Sequence, residues 1–205
     1  MNLLIDKLPE TVVIDDTEVP ISWDFRTSIK FADMMLSQGN YEQLELIEKV
    51  VSLYFNKEDI RGLSLDSALE VILWFYRCGK PKKDTGNDKL ILSYAQDAGY
   101  ISAAFLEQYN INIIKIKEMH WWEFRSLFDG LQDDVQISKI MGFRGMDLSK
   151  VSKEERSYYR KMQDTFKIEN VQTETKEEVD YQRELTETLK TGGNIAAVKK
   201  KYNRE

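Results

Sequence analysis

Cysteine and histidine are almost missing from this chain. Among 205 residues there is one of each, Cys78 and His120. A lone cysteine excludes an intrachain disulfide, and with it the disulfide-stapled secreted scaffolds. One His and one Cys cannot furnish the ligands of an ordinary His/Cys zinc site within one chain. Any Ser-His-Asp or Cys-His device would have to run through His120. Proline and glycine are scarce too, at 3 and 10 residues, which favours long regular elements over a loop-rich fold. No apolar run approaches the ~20 residues of a membrane helix. The longest, from Val71 to Tyr76, is bounded by Glu70 and Arg77. The first residues, Met1 to Lys7, lack a basic segment followed by an apolar one. No secretory leader, no membrane contact and a reducing cytoplasmic location are therefore expected.

What is present is ordinary for a globular domain, with 42% hydrophobic and 31% charged residues. Lys+Arg 29 against Asp+Glu 35 leave a net charge of −6. That balance argues against a surface that grips nucleic acid, and no nucleic-acid partner is expected.

The patterning predicts a mainly α fold: about six helices, a short N-terminal β-hairpin over 1–21, and a charged helical C-terminal arm. Two β-branched pieces around Asp15-Asp16 form the hairpin, with Pro20 confining the second to an edge or strand end. From Ser22, a candidate cap, Phe25, Ile29, Ala32 and Leu36 trace one helical face that Gly39 ends. Asn40 with Gln43 reads as a capping box for a helix striped by Leu44, Ile47, Val51 and Tyr54. A nearly all-apolar helix starts near Ser64 or Ser67 and closes at Gly79, followed by a polar loop with Lys80, Lys82 and Lys83. Leu90, Ile91, Tyr94 and Ala98 open the next helical pattern, which Gly99 either interrupts or joins to Ile101, Phe105 and Tyr109, with Asn110 as its stop. Residues 111–116 fit strand or helix entry equally. Trp121, Phe124, Phe128 and Leu131 share a face, and Asp134 is placed to cap a short helix ended by Gly142. Ser152 with Glu155 is a capping box for a helix to about Ile168. Glu174 to Leu189 forms a thinner amphipathic stretch, and the end with Lys199, Lys200 and Lys201 is expected to fray. The division implied is a packed domain over 1–147 and an arm over 148–205, which lies on a partner or stays partly mobile.

Chemical motifs are sparse. No Walker-type phosphate loop occurs, and Gly142-Phe143-Arg144-Gly145 reads as a turn between helices. His120, at what reads as a helix start, has no patterned nucleophile or orienting partner, so it reads as a structural or a surface histidine. Cys78 reads as a small hydrophobe, since no basic cluster forces a thiolate. Asp15-Asp16 and Asp133-Asp134 are explained by turn formation and by a helix N-terminus. No catalytic residue, metal or cofactor is expected, and the protein is read as not an enzyme. Trp121 and Trp122 lie about 100° apart on a helix, so one faces the core and the other can face outward, unless both are buried. With Phe124 and Phe128, and with Tyr158, Tyr159, Met162 and Phe166 in the arm, they are the candidate protein-binding residues.

The run Met119-His120-Trp121-Trp122-Glu123-Phe124 through Leu131 resembles the signature of a family of small proteins from long-tailed bacteriophages and prophages of Gram-positive bacteria. The opening Met1 to Pro9, the run Trp23-Asp24-Phe25-Arg26, the stretch from Gln96 to Ile111, and Met141-Gly142-Phe143-Arg144 through Tyr159 resemble it as well. The resemblance covers about 1–165. It implies a tail morphogenesis protein, a tail assembly chaperone holding the tape measure protein soluble until the tail tube polymerises. The implied partners are the tape measure protein, the major tail protein and further copies of the chain, in the host cytoplasm. The alternative is a completion or connector protein retained in the virion.

Overall fold

The computed structural model describes residues 2–36, 41–81, 89–169, 181, 184, 188 and 195–202. Among them are one two-stranded hairpin and eight α-helices, the mainly helical fold with an N-terminal hairpin that the patterning predicts. Residues 1–36 and 43–169 form one compact unit, and residues 37–42 and 170–205 a second.

The hairpin pairs β1 (Thr11–Ile14) antiparallel with β2 (Thr17–Pro20). Asp15 and Asp16 both take positive φ, 48° and 63°, the left-handed pair a tight two-residue hairpin turn requires. Val12, Ile14 and Val19 face the core, while Val13 points to water. Pro20 sits opposite Thr11 at the strand end, where its missing N–H does no harm. The Asp15 carboxylate accepts from Ser64 N (2.7 Å) and Ser67 Oγ (2.8 Å). The hairpin turn thus supports the start of α3 (Leu65–Tyr76), whose N-cap is Ser64.

Helix α1 (Phe25–Leu36) is capped by Asp24, not Ser22. Asp24 Oδ1 accepts from Arg26 N (3.0 Å), whereas Ser22 N donates to the Tyr54 carbonyl at the end of α2 (Gln43–Tyr54). The buried face of α1 is Phe25, Ser28 and Phe31. It is rotated from the expected stripe because Ser28 shares a buried hydrogen bond with the Tyr54 hydroxyl (2.9 Å), which leaves Leu36 exposed. Leu44 is likewise exposed on α2, whose buried residues are Val50, Val51 and Tyr54.

Helix α4 (Tyr94–Tyr109) starts at Ser93, later than Leu90, and ends as expected at Asn110 in the left-handed conformation. Residues 111–116 form neither strand nor helix but turns that bury Ile113. Helices α5 (Trp121–Asp129) and α6 (Gln136–Gly145) follow. Val135, not Asp134, stands at the α6 N-cap, with no side-chain bond, and the helix continues past Gly142. The segment from Gly142 to Gly145 is therefore helical, not a turn. A 3-10 turn (Leu148–Lys150) leads into α7 (Lys153–Thr165). There the expected Ser152–Glu155 pairing forms: Ser152 Oγ accepts from Glu155 N (3.3 Å) and donates to its carboxylate (2.7 Å). Helix α7 packs on α6, and the first unit extends through it to Glu169.

In the second unit, α8 (Ile195–Lys201) is a helix where fraying was expected. Glu184 accepts from Lys201 Nζ (2.7 Å) and the Tyr202 hydroxyl (2.9 Å), and the Tyr181 and Tyr202 rings meet edge-on. Asn40, Lys82, Lys83 and most of the 174–189 stretch lie outside the described residues.

Candidate functional site

The sequence offers two aromatic groups as docking surface, and the structure separates them. The first is built at the start of α5. Trp23 and Phe25 form a short antiparallel bridge with residues 119–121: Trp121 N donates to the Trp23 carbonyl (2.9 Å) and Phe25 N to that of Met119 (3.0 Å). This joins the start of α1 to the start of α5. His120 is the N-cap of α5. Its Nδ1 accepts from Trp122 N (3.0 Å), so its proton sits on Nε2, which donates to the Pro9 carbonyl (3.0 Å). The ring stacks on Trp23 and meets Phe75 edge-on. Burial holds the imidazole pKa below its ordinary value, against the pull of the Pro9 carbonyl and of Glu10 and Glu123.

From that cap, Trp121 and Trp122 diverge and both enter the core. Trp121 Nε1 donates to the Tyr76 carbonyl and Trp122 Nε1 to the Phe75 carbonyl, each at 2.8 Å. Those carbonyls belong to the last turn of α3, where the i+4 donors of a helix run out; that of Phe75 also accepts from Cys78 N (2.9 Å). Successive residues are about 100° apart on each helix, so two adjacent indoles reach two adjacent carbonyls. Phe124 stacks between Phe25 (4.9 Å) and Phe105 (5.1 Å), and Phe128 follows it. Trp121, Trp122, Phe124 and Phe128 are 1%, 1%, 0% and 6% exposed. These four candidates are core residues and offer no surface to a partner. Cys78 and Gly79 turn the chain away from α3 at positive φ, and a Cβ on Gly79 would lie 3.1 Å from the Trp122 ring. Burial pushes the Cys78 thiol up to about 11, which keeps it protonated near neutral pH.

The second group stays accessible. Phe143 of α6 is the centre of a ring cluster with Tyr158, Tyr159 and Phe166, the last stacked on it at 6.1 Å. Tyr158 is 53% exposed, and Tyr159, Met162 and Phe166 are half-buried. No residue of α7 is fully buried, so this helix covers α6 while leaving its own aromatics open at the edge. Gln163 Nε2 donates to the Phe143 and Met146 carbonyls, both at 2.9 Å. Phe143 itself was absent from the candidates, because its glycine-flanked run reads as a turn.

Below the cluster lies an ion pair that no spacing rule suggests. Arg144 and Asp97, 8% and 2% exposed at their side chains, make two hydrogen bonds of 2.6 and 2.9 Å. Arg144 also donates to the Ile91 carbonyl (3.0 Å) and the Phe166 carbonyl (2.6 Å). Beside it, the Gln96 amide brackets the Glu169 backbone, donating to its carbonyl (2.6 Å) and accepting from its N–H (3.0 Å). Three stretches distant in sequence are thereby pinned together: α4 with its approach, α6, and the residues after α7. Among the described residues no group of three His, Cys, Asp or Glu is placed to hold a metal ion, and no helix is long and apolar enough to cross a membrane.

The family model described as Bacteriophage Gp15 protein matches residues 4–168. The chain belongs to this bacteriophage family. No curated protein and no solved structure matches it. In this Gp15 family member the matched stretch includes the hairpin, both aromatic groups and the Asp97–Arg144 pair, and it stops beside Glu169, the last residue of the first unit. The Gp15 match therefore takes in α7, which the composition assigned to the arm.

Proposed function

We propose that this phage protein acts in tail morphogenesis without catalysing a reaction, as a tail assembly chaperone. It binds the tape measure protein in the host cytoplasm and keeps it soluble until the tail tube polymerises. The observation carrying this reading is the open aromatic cluster of Phe143, Tyr158, Tyr159 and Phe166 on a unit that falls within a phage family. Half-exposed aromatic rings on a rigid helix pair are good anchors for an apolar helical client. A long client that engages many copies needs only weak individual contacts.

Co-expression with the tape measure protein of the same phage tests the proposal. The expected result is a soluble complex that co-purifies, with the client insoluble when expressed alone. Tyr158→Asp, at an exposed position, should cut the recovered complex more than about tenfold while leaving the melting temperature unchanged. No complex and no gain in client solubility would count against it. Many copies in purified virions, seen by mass spectrometry, would replace it with a retained structural tail component.

A further inference from the structure

Residues 2–6 form a closed, hydrogen-bonded turn. The Asn2 carbonyl accepts from Ile5 N (3.0 Å) and Asp6 N (2.8 Å), and its side-chain oxygen accepts from Leu4 N (3.0 Å). Asp6 Oδ2 in turn accepts from Asn2 N (2.7 Å). This stapling fixes a turn that holds apolar side chains out in water: Leu4 is 95% exposed and Ile5 79%. Ordering such a knob gains nothing within the unit, and apolar surface held out in this way marks a contact site.

The matching cavity lies elsewhere on the same unit. Helix α2 and the chain leading into α3 frame an open groove of about 520 Å³. Ile60 and Leu65 give its open apolar wall over a floor of buried Val51 and Phe55, with Glu45, Glu48 and Lys49 on the α2 bank and Lys57 on the other. It has room for the Leu4 and Ile5 side chains together.

We propose that the Leu4–Ile5 knob of one copy seats in the α2–α3 groove of a second copy of this chain. Charge favours that occupant. The knob is followed by Asp6 and Lys7, one charge of each sign; of the charges along the groove Glu45 and Lys49 pair with each other (3.0 Å), and Lys57 and Glu48 stand to meet Asp6 and Lys7. Knob and groove are different patches of one surface, so the contact is head-to-tail. Each added copy offers a fresh knob and a fresh groove, and the assembly grows as a row or closes as a ring instead of stopping at a two-fold dimer. A knob of a few residues buries far less than a standard stable interface, so each link is weak and forms at high local concentration. The proposal does not rest on the tape measure protein as client and stands or falls separately from it.

Sedimentation velocity of the full chain, carrying any tag at the C-terminus, tests it. Wild type should sediment faster as concentration rises from micromolar to near millimolar. Leu4→Asp with Ile5→Asp removes the knob, and Leu65→Glu blocks the groove. Each variant alone should stay monomeric with an unchanged melting temperature. An equimolar mixture of the two should form a complex of two copies and grow no further, since one retains only the groove and the other only the knob. If Leu65→Glu fails to fold, Lys57→Glu on the bank should still weaken the growth. Wild type that stays monomeric throughout would overturn the proposal, whether the groove is empty, holds its own knob or waits for a client helix. A knob or groove variant that grows like wild type, or a mixture that stays monomeric, would overturn it as well.

Discussion

His120 shows how one side chain can be essential to a fold without chemistry of its own. Its two nitrogens are both committed, Nδ1 to the first turn of α5 and Nε2–H to the Pro9 carbonyl, so only the neutral ring satisfies both. Adding a proton to Nδ1 removes the acceptor that caps α5. Burial lowers its folded-state pKa below the unfolded 6.5. The unfolded chain therefore binds the proton more readily, and stability must fall as pH drops through the interval below 6.5, being fully present above it. The carboxyls lowered by hydrogen bonds, Asp15 and Asp147, lose their contribution only below their ordinary 3.8. Asp33, raised by burial, acts in the opposite sense. The comparison to make is thus with His120→Asn, whose side chain can still cap α5 but cannot titrate. Its stability at pH 7.5 should be lower by roughly 1–3 kcal/mol for the lost Pro9 bond. Between pH 7 and 5, urea midpoints of wild type should decline while those of His120→Asn stay flat. The sequence leaves a structural and a surface role open for this residue, because its Pro9 acceptor is 111 positions away. The fate of Trp121 and Trp122 was not legible either, because the carbonyls that accept their N–H groups belong to residues 75 and 76, remote in sequence.

At the scale of elements, local rules held where partners are local. Ser64 and Ser152 cap their helices, Asn110 stops α4, and Asp15-Asp16 turns the hairpin, each from residues within a few positions. The rules failed where a distant group competes. The bridge to residues 119–121 takes the Phe25 N–H and fixes where α1 starts, so Asp24 caps it and not Ser22. Gly142 and Gly145 suggested a turn, yet α6 runs through the first and ends only at the second, with Arg144 held by Asp97 of α4. That pair carries the element-scale prediction. Arg144→Met strands a carboxylate that is 2% exposed and removes the tie to Phe166, so urea unfolding should show a loss of about 3–5 kcal/mol. Combining it with Asp97→Asn removes the stranded charge and should recover a large part of that loss. Lys49→Met, breaking the exposed Glu45–Lys49 pair on α2, should change stability by no more than about 0.5 kcal/mol. Equal effects for the two pairs would contradict the buried, multiply bonded role of Arg144.

At the scale of the whole molecule, composition and packing draw the boundary in different places. Charge density rises after Gly145, which is why an arm starting at 148 was expected. Packing follows contacts instead: α7 covers Phe143, and Arg144, Gln163 and Gln96 bind the chain from α6 through to Glu169. A helix rich in charge can belong to a core when a few aromatics and side-chain-to-backbone bonds hold it there. Two truncations separate these boundaries. A chain ending at Glu169 keeps every hydrogen bond given for the first unit and is the reference for the second. A chain ending at residue 147 loses the Phe166 and Gln163 bonds and uncovers Phe143. It should melt lower by roughly 10 °C, the shift that a loss of ~3 kcal/mol gives in a domain of this size, and should aggregate on heating. Differential scanning calorimetry of the two fragments decides the matter. Equal melting temperatures would mean that α7 is an appendage. A large gap would mean that the docking cluster is built on the folded unit itself, so that loss of client binding can be separated from loss of the fold only by substitutions at open positions such as Tyr158.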